Sequence, residues 1–433
     1  MTMVSMSTSL ESNVRSYCRA FPTVFTRAYG SRLTDEKGKD YIDFLSGAGS
    51  LNYGHNNPVI KKRLLDYIES DGIVHGLDMS TAAKEQFLDA FARLILQPRG
   101  MTYKVQFTGP TGTNAVEAAL KIARNVTRRY NVVAFTRAFH GVTLGSVAVT
   151  ASSHYRNAAG LPLVATSFVP YDGYLGPDVD TTGYLDRVLR DGSSGIDHPA
   201  AVIVETIQGE GGVNVASFAW LRSLQDVCRR HGVLLIVDDI QAGCGRTGPF
   251  FSFEEAGLSP DIITLSKSLS GYGLPFSLVL MKPELDQWEP GEHNGTFRGH
   301  NLAFVTANAA LDEYWQDDYL ATDVKRKGHL VRAALSEIAE HAPSGGFSVR
   351  GRGMMQGLDC GSGALATRVS AKAFEKGLLI ERSGADGQVM KCLSPLTISD
   401  DELIEGLSLL NESVRAALDE AAAEHGDVVG ARK

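Results

Sequence analysis

The stretch Leu234-Leu235-Ile236-Val237-Asp238-Asp239-Ile240-Gln241 is an apolar run, too short for a helix, that breaks abruptly into carboxylates. Such a run, bounded by polar residues, reads as a strand buried on both faces, the kind found in parallel sheets. Similar runs stand at Val132 to Phe135, Ala200 to Val204, Ile262 to Leu265 and Ser277 to Met281. Helical periodicity and glycine turns separate them from about residue 60 to 318. That alternation predicts an α/β fold, a mostly parallel sheet covered by helices.

Towards the N-terminus, Arg32 to Phe44 reads as two short strands around a polar turn at Gly38, after a helix near Ser12 to Arg19. A loop of small residues, Ser46-Gly47-Ala48-Gly49-Ser50, follows. From about residue 319 the pattern changes to long charged amphipathic helices with two or three short strands, ending in Leu403 to Ala417. The expected division is a large domain over 60–318 and a smaller α+β domain built from 1–59 and 319–433. The tail from Asp419 to Lys433 is rich in Ala, Gly and charge and is expected to be loose.

Composition excludes several classes. Forty-two basic and 50 acidic side chains give a net charge of -8, which disfavours a nucleic-acid or anionic-membrane partner. No run approaches ~18 apolar residues, so no membrane span is expected. Met1 to Leu10 lacks the basic and apolar regions of a signal peptide. The five cysteines, Cys18, Cys228, Cys244, Cys360 and Cys392, are odd in number and form no C-x-x-C pair. They predict reduced thiols and a cytoplasmic protein with neither a disulfide framework nor a zinc knuckle.

The chemistry-bearing residues follow the strands. Asp238 is placed to set a carboxylate beside a heterocyclic nitrogen and keep it protonated; alone, such a residue is more often a helix cap or turn aspartate. Lys267, in Ser266-Lys267-Ser268, comes 29 positions later, enough for one connection and one more strand. An isolated lysine is usually a solvated charge, but in an apolar, glycine-rich loop it can carry an aldehyde as a Schiff base. Gly109-Pro110-Thr111-Gly112-Thr113-Asn114 precedes the helix-forming stretch Ala115 to Arg129. That is either an ordinary helix start or a phosphate site. Phe139-His140-Gly141 offers an aromatic face, with Phe139 equally able to be core. Together these parts point to pyridoxal 5′-phosphate. No metal is expected, because His140 has no acidic or His partner at metal spacing. Gly243-Cys244-Gly245-Arg246-Thr247-Gly248 matches G-x-G-x-x-G, but the aromatic stretch Pro249 to Phe253 does not open the helix a dinucleotide site requires.

With Leu51-Asn52-Tyr53-Gly54-His55-Asn56-Asn57-Pro58, Val204-Glu205-Thr206-Ile207-Gln208-Gly209-Glu210 and Ser268-Leu269-Ser270-Gly271-Tyr272-Gly273, the chain resembles the class III, or ω-amino, transaminases over about residues 11 to 415. Those are pyridoxal-phosphate enzymes of fold type I. The resemblance is greatest to members that pass the amino group of L-glutamate to L-aspartate 4-semialdehyde, giving L-2,4-diaminobutyrate and 2-oxoglutarate, the type that feeds ectoine synthesis. Enzymes of 4-aminobutyrate or ornithine, and semialdehyde aminomutases, are the alternatives within the same chemistry.

The resemblance implies that Lys267 is the Schiff-base lysine, that Asp238 partners the ring nitrogen and that Gln241 donates to the ring hydroxyl. It puts Gly112 and Thr113 at the phosphate, Phe139 on the ring, and His140 and Glu205 among the cofactor-binding residues. Thr296 would reach the phosphate of a neighbouring subunit, so a homodimer or dimer of dimers with shared active sites is implied. Many glutamate-using relatives carry an arginine where this chain has Lys391, and ornithine-using ones an arginine where it has Val142. That leaves Arg298 and Lys391 as candidate carboxylate anchors, with Glu210 the partner of Lys391 when no substrate carboxylate is present.

Overall fold

A computed structural model describes residues 10–340, 342 and 346–430, with side chains through residue 424. Near the N-terminus lie strands β1 (Phe25–Tyr29), β2 (Arg32–Asp35) and β3 (Asp40–Asp43). Then come β4 (Lys104–Phe107), β5 (Val132–Phe135), β6 (Thr166–Val169), β7 (Ala201–Val204), β8 (Ile207–Gln208) and β9 (Asn214–Val215). Next are β10 (Leu234–Asp238), β11 (Ile262–Leu265) and β12 (Leu278–Met281). The last five are β13 (Ser348–Arg352), β14 (Met355–Asp359), β15 (Leu378–Leu379), β16 (Glu381–Ser383) and β17 (Val389–Cys392).

Seven strands form the central sheet in the order β4-β12-β11-β10-β7-β5-β6. All its pairings are parallel except those of β12, which runs antiparallel to both β11 and β4. The inner strands β5, β7, β10, β11 and β12 were legible as apolar runs because helices cover both faces. Every residue of β5, β7, β11 and β12 is buried. The edge strands β4 and β6 lie outside that pattern: both are only partly buried and carry polar residues, so neither shows an uninterrupted apolar stretch. The helix Gly112–Thr127 packs one alanine-rich face, Ala115, Ala118, Ala119 and Ala123, against the sheet.

The predicted hairpin is present as β2 paired with β3, and β1 adds to it as a strand the sequence pattern did not show. β3 in turn pairs in parallel with β15, joining the N-terminal segment to residues more than 300 positions away in the chain. β13, β14, β17 and β16 form a further antiparallel sheet. The region after 319 therefore holds five strands, more than the two or three expected; β15 and β16 are only two and three residues long.

The N-terminal helix is confined to Tyr17–Ala20. The tail also departs from expectation, because the helix Asp400–Gly430 continues through Asp419 and beyond. Alanine and glutamate are strong helix formers, and ion pairs from Glu420 to Lys372 (3.4 Å) and Glu424 to Arg368 (2.6 Å) tie it to the helix Gly363–Lys376. Residues 431–433 of that expectation lie outside the described residues. Among the described residues no helix is long and apolar enough to cross a membrane and no side-chain group could hold a metal. The five cysteines are free, Cys18 exposed and the others buried.

The glycine-rich 243–248 segment opens no helix. Instead it carries Arg246, fully buried, to the carbonyls of Met354 and Ser394 and to Asn52 Oδ1. The turn thus fastens the central sheet to both the N-terminal and C-terminal segments.

Candidate active site

β10 and β11 are adjacent and parallel, with Asp238 opposite Thr264, so both chains leave the sheet at the same edge. In parallel α/β sheets the crevice beyond the strands' carboxyl ends is where ligands sit. Asp238 is the last residue of β10 and only 5% exposed. Its Oδ2 lies 2.7 Å from His140 Nδ1, while Oδ1 accepts from Ile240 N and Thr264 Oγ1, each at 3.2 Å. One carboxylate orientation is thereby fixed. His140 is itself buried, and its Nε2 has no protein partner. Burial pulls the imidazole pKa down, and the Asp238 carboxylate outweighs it, leaving His140 raised.

Two residues past the end of β11, the chain turns at Lys267 with a left-handed φ of 51°. Few non-glycine residues adopt that conformation, and where they do it often serves a site. Lys267 Nζ donates to Ala48 O at 2.8 Å. Burial pushes the ammonium pKa down, with Glu210 opposing, so the amine is easier to deprotonate than a surface lysine.

The other walls come from the remaining strands. β5 leads to Phe139, whose N–H donates to Glu205 Oε2 at 3.1 Å and whose ring meets Tyr155 edge-on at 5.3 Å. Burial pushes the Glu205 carboxyl up to about 8, against the pull of His140. The helix Gly112–Thr127 starts at the cavity, and a Cβ added to Gly112 would stand 3.0 Å from Ile240 Cδ1. Gln241 Nε2 donates to Ala48 O at 3.1 Å and Glu210 Oε1 at 3.2 Å.

The result is one cavity of about 340 Å3 lined by Gly112, Thr113, Phe139, His140, Glu205, Glu210, Asp238, Gln241 and Lys267. A carboxylate, an amine, an aromatic face and a helix N-terminus with no side chain at its first residue fit a flat heterocycle bearing an aldehyde and a phosphate. His140 Nε2, a buried polar atom without a partner, adds a contact for such a group or a water.

Lys391 lies behind this cavity, 0% exposed, with Nζ 2.6 Å from Glu210 Oε1 and 3.1 Å from Glu381 Oε1. Burial pushes Glu210 up, and Lys391 more than reverses it, to about 2. Within one chain the structure does not bring Thr296 or Arg298 to the cavity. Thr296 is exposed, and Arg298 lines a separate cavity, paired with Asp78 at 3.0 Å. Four participants escaped sequence reading: Glu381, Tyr17, Thr264 and the Ala48 carbonyl. The loop at Ala48 stood out for its small residues, but a main-chain acceptor leaves no side-chain signature; Thr264 and Glu381 join the site through long-range strand pairing, and Tyr17 through its hydroxyl on Glu381 Oε2.

Residues 15–414 match the Aminotransferase class-III family. The chain belongs to the class-III aminotransferases. This aminotransferase is 61% identical over 412 residues to the diaminobutyrate--2-oxoglutarate transaminase of Bordetella parapertussis, covering 95% of each chain. It is 59% identical over 411 residues to the enzyme of that name from Halomonas elongata, covering 94% of this chain and 98% of the other. Among solved structures, the ornithine aminotransferase from Toxoplasma gondii ME49 superposes with a TM-score of 0.84 at 28% identity, over 97% of both chains. A second structure of the Toxoplasma gondii enzyme, described with partial occupancy of PLP at the active site, gives 0.83 at 28% identity over 96% of this chain and 94% of that one.

Proposed function

We propose that this aminotransferase uses pyridoxal 5′-phosphate to move the amino group of L-glutamate to L-aspartate 4-semialdehyde, yielding L-2,4-diaminobutyrate and 2-oxoglutarate. The observation that carries the chemistry is the convergence of Asp238 and Lys267, from adjacent parallel strands, on a cavity that also receives the start of the Gly112–Thr127 helix. The choice of substrates is supported by the 61% and 59% identity to diaminobutyrate--2-oxoglutarate transaminases over nearly the whole chain. Val142 at the cavity, in place of a cation, agrees with a substrate other than ornithine.

Bound in this cavity, the cofactor supplies an electron sink for the pair released when a carbon beside the amino group loses its proton. Asp238, fixed by His140, Thr264 and the Ile240 N–H, would hold the heterocyclic nitrogen and favour its protonated form. Gly112 and Thr113 would hold the phosphate with main-chain N–H groups at the helix N-terminus, where the dipole favours an anion. Phe139 would offer the ring an apolar face, His140 and Glu205 would line its environment, and Gln241 would be the donor for its hydroxyl. Lys267 Nζ, its pKa lowered by burial, takes the proton from the reacting carbon and returns it in the product-forming step. The same amine serves both half-reactions. Large and small domains as divided above, with Thr296 completing a neighbouring subunit's site in a cytoplasmic homodimer or dimer of dimers, complete the reading.

The test is a pair of half-reactions on the purified, cofactor-loaded protein. Glutamate should bleach the absorbance of the lysine-bound cofactor, and L-aspartate 4-semialdehyde should restore it with release of diaminobutyrate. Lys267→Ala should lose turnover altogether. Turnover retained by that variant, or no restoration by the semialdehyde, would overturn the proposal.

A further inference from the structure

Lys391 is a buried cation with more anionic company than it needs. Its Nζ donates to Glu210 Oε1 at 2.6 Å and Gln241 Oε1 at 3.5 Å and lies 3.1 Å from Glu381 Oε1 as an ion pair. Fully buried and absent from the lining of either neighbouring cavity, Lys391 is in this state not the anion anchor that its position in the sequence suggests. The cluster contains two carboxylates and one cation.

The two carboxylates are held differently. Glu381 sits directly opposite Lys391 in the antiparallel pairing of β16 with β17, so the backbone register fixes it there. It is buried, and Tyr17 OH donates to its Oε2 at 3.1 Å. Glu210 stands on the turn between β8 and β9, its side chain 26% exposed, and lines both the cofactor cavity and a neighbouring one of about 440 Å3. Both hydrogen bonds that hold it end on Oε1, leaving Oε2 to accept from a ligand. Glu210 is thus the face the cluster shows to a substrate, and Glu381 sets the charge behind that face.

Among the described residues, no cation other than Lys391 forms an ion pair with Glu210 or Glu381. Of the two arginines at the neighbouring cavity, Arg137 lies over the Tyr174 ring at 5.2 Å and Arg382 donates to Thr367 Oγ1 at 2.7 Å. Lys267, on the other side, is bridged to Glu210 by hydrogen bonds through Ala48 O and the Gln241 amide, and its charge draws the pKa of both carboxylates down without pairing with either. In a mostly dehydrated site, one uncompensated charge is felt over the length of a small substrate far more strongly than in water.

We propose that Glu381 is a specificity-determining residue: as the second carboxylate on Lys391 it makes the Glu210–Lys391–Glu381 cluster net negative, and the cluster thereby selects substrates that carry a second ammonium group beside the reacting amine. Diaminobutyrate has that group, three carbons from the amine that reacts; 4-aminobutyrate has the same chain and carboxylate with hydrogen in its place. The inference rests on the transaminase reading above and adds the element that separates these two donors. Glu381 acts through Lys391 and Glu210 without touching the substrate.

The experiment compares the two compounds as amino donors to the cofactor-loaded enzyme, in single-turnover absorbance, for wild type, Glu381→Gln and Glu381→Asp. Wild type should prefer diaminobutyrate. Glu381→Gln, which keeps the shape and removes the charge, should lower the ratio of the two kcat/KM values roughly tenfold or more, the scale of one close charge at intermediate dielectric. Glu381→Asp should keep most of the preference, an outcome a purely structural role would not produce. A ratio unchanged in Glu381→Gln overturns the inference. So does a wild-type enzyme that uses both donors equally, which requires no variant to fold. A wild type that turns over neither would instead refute the transaminase reading beneath it.

Discussion

Lys391→Met would leave Glu210 and Glu381 without their shared cation, in a place 0% exposed at the lysine itself. The cost follows from the charges left unpaired. Lys391 is the largest of the charges that hold the Glu210 carboxyl below its ordinary range, so its loss removes support from the ionised form. Breaking a buried ion pair by removing one partner costs ~3–5 kcal/mol in other proteins, and that is the scale expected here. Glu381, which burial pushes up even with Lys391 present, can take a proton in the variant and trim the loss.

The sign with pH follows from the depressed carboxyl. Glu210's contribution is complete above about 4.5 and fades as pH falls towards about 2, so the gap between wild type and variant should be full at pH 7 and narrow in acid. Urea unfolding of the cofactor-loaded protein at several pH values measures it, with Lys391→Arg expected to keep most of the stability. A Lys391→Met protein within about 1 kcal/mol of wild type at pH 7 would refute the reasoning, since that is less than an unpaired buried charged group should cost.

Asp238→Asn keeps the shape of the carboxylate but removes its charge; kcat for both half-reactions should fall roughly a hundredfold, in line with losing one preorganised electrostatic contact. Stopped-flow absorbance would measure that, and His140, raised by Asp238, should titrate lower by NMR. Gly112→Val would drive a branched side chain against Ile240, 3.0 Å from the Cβ position, and weaken cofactor binding by about 1–3 kcal/mol. Cofactor titration should show the loss while thermal unfolding without cofactor shifts little; unaltered affinity would argue against a phosphate at that helix start.

Local pattern made much of the architecture legible. Strands buried on both faces must be nearly continuous in apolar residues, so β5, β7, β10, β11 and β12 stood out, whereas the half-exposed edges β4 and β6 did not. The placement of Asp238, Lys267, Gly112 and Phe139 at one cavity was also foreseeable. Each sits at the end of a strand or the start of a helix, and parallel strands deliver such ends to the same side of the sheet. The tail was misread because its charge was taken for disorder, when its alanines and glutamates favour helix and dock on Arg368 and Lys372.

By itself, then, the sequence determined the alternation of strands and helices and the residue types waiting at their ends, since both depend on near neighbours and periodicity. Only the tertiary structure decided the charges behind the cavity. Lys391 meets Glu381 because β16 and β17 pair in one register, and meets Glu210 because a turn 181 positions earlier is folded against that sheet. A one-residue slip in that pairing would turn Lys391 or Glu381 to the opposite face. No local pattern specifies that register, because an ion pair is a property of distance in space and the chain carries no marker for it.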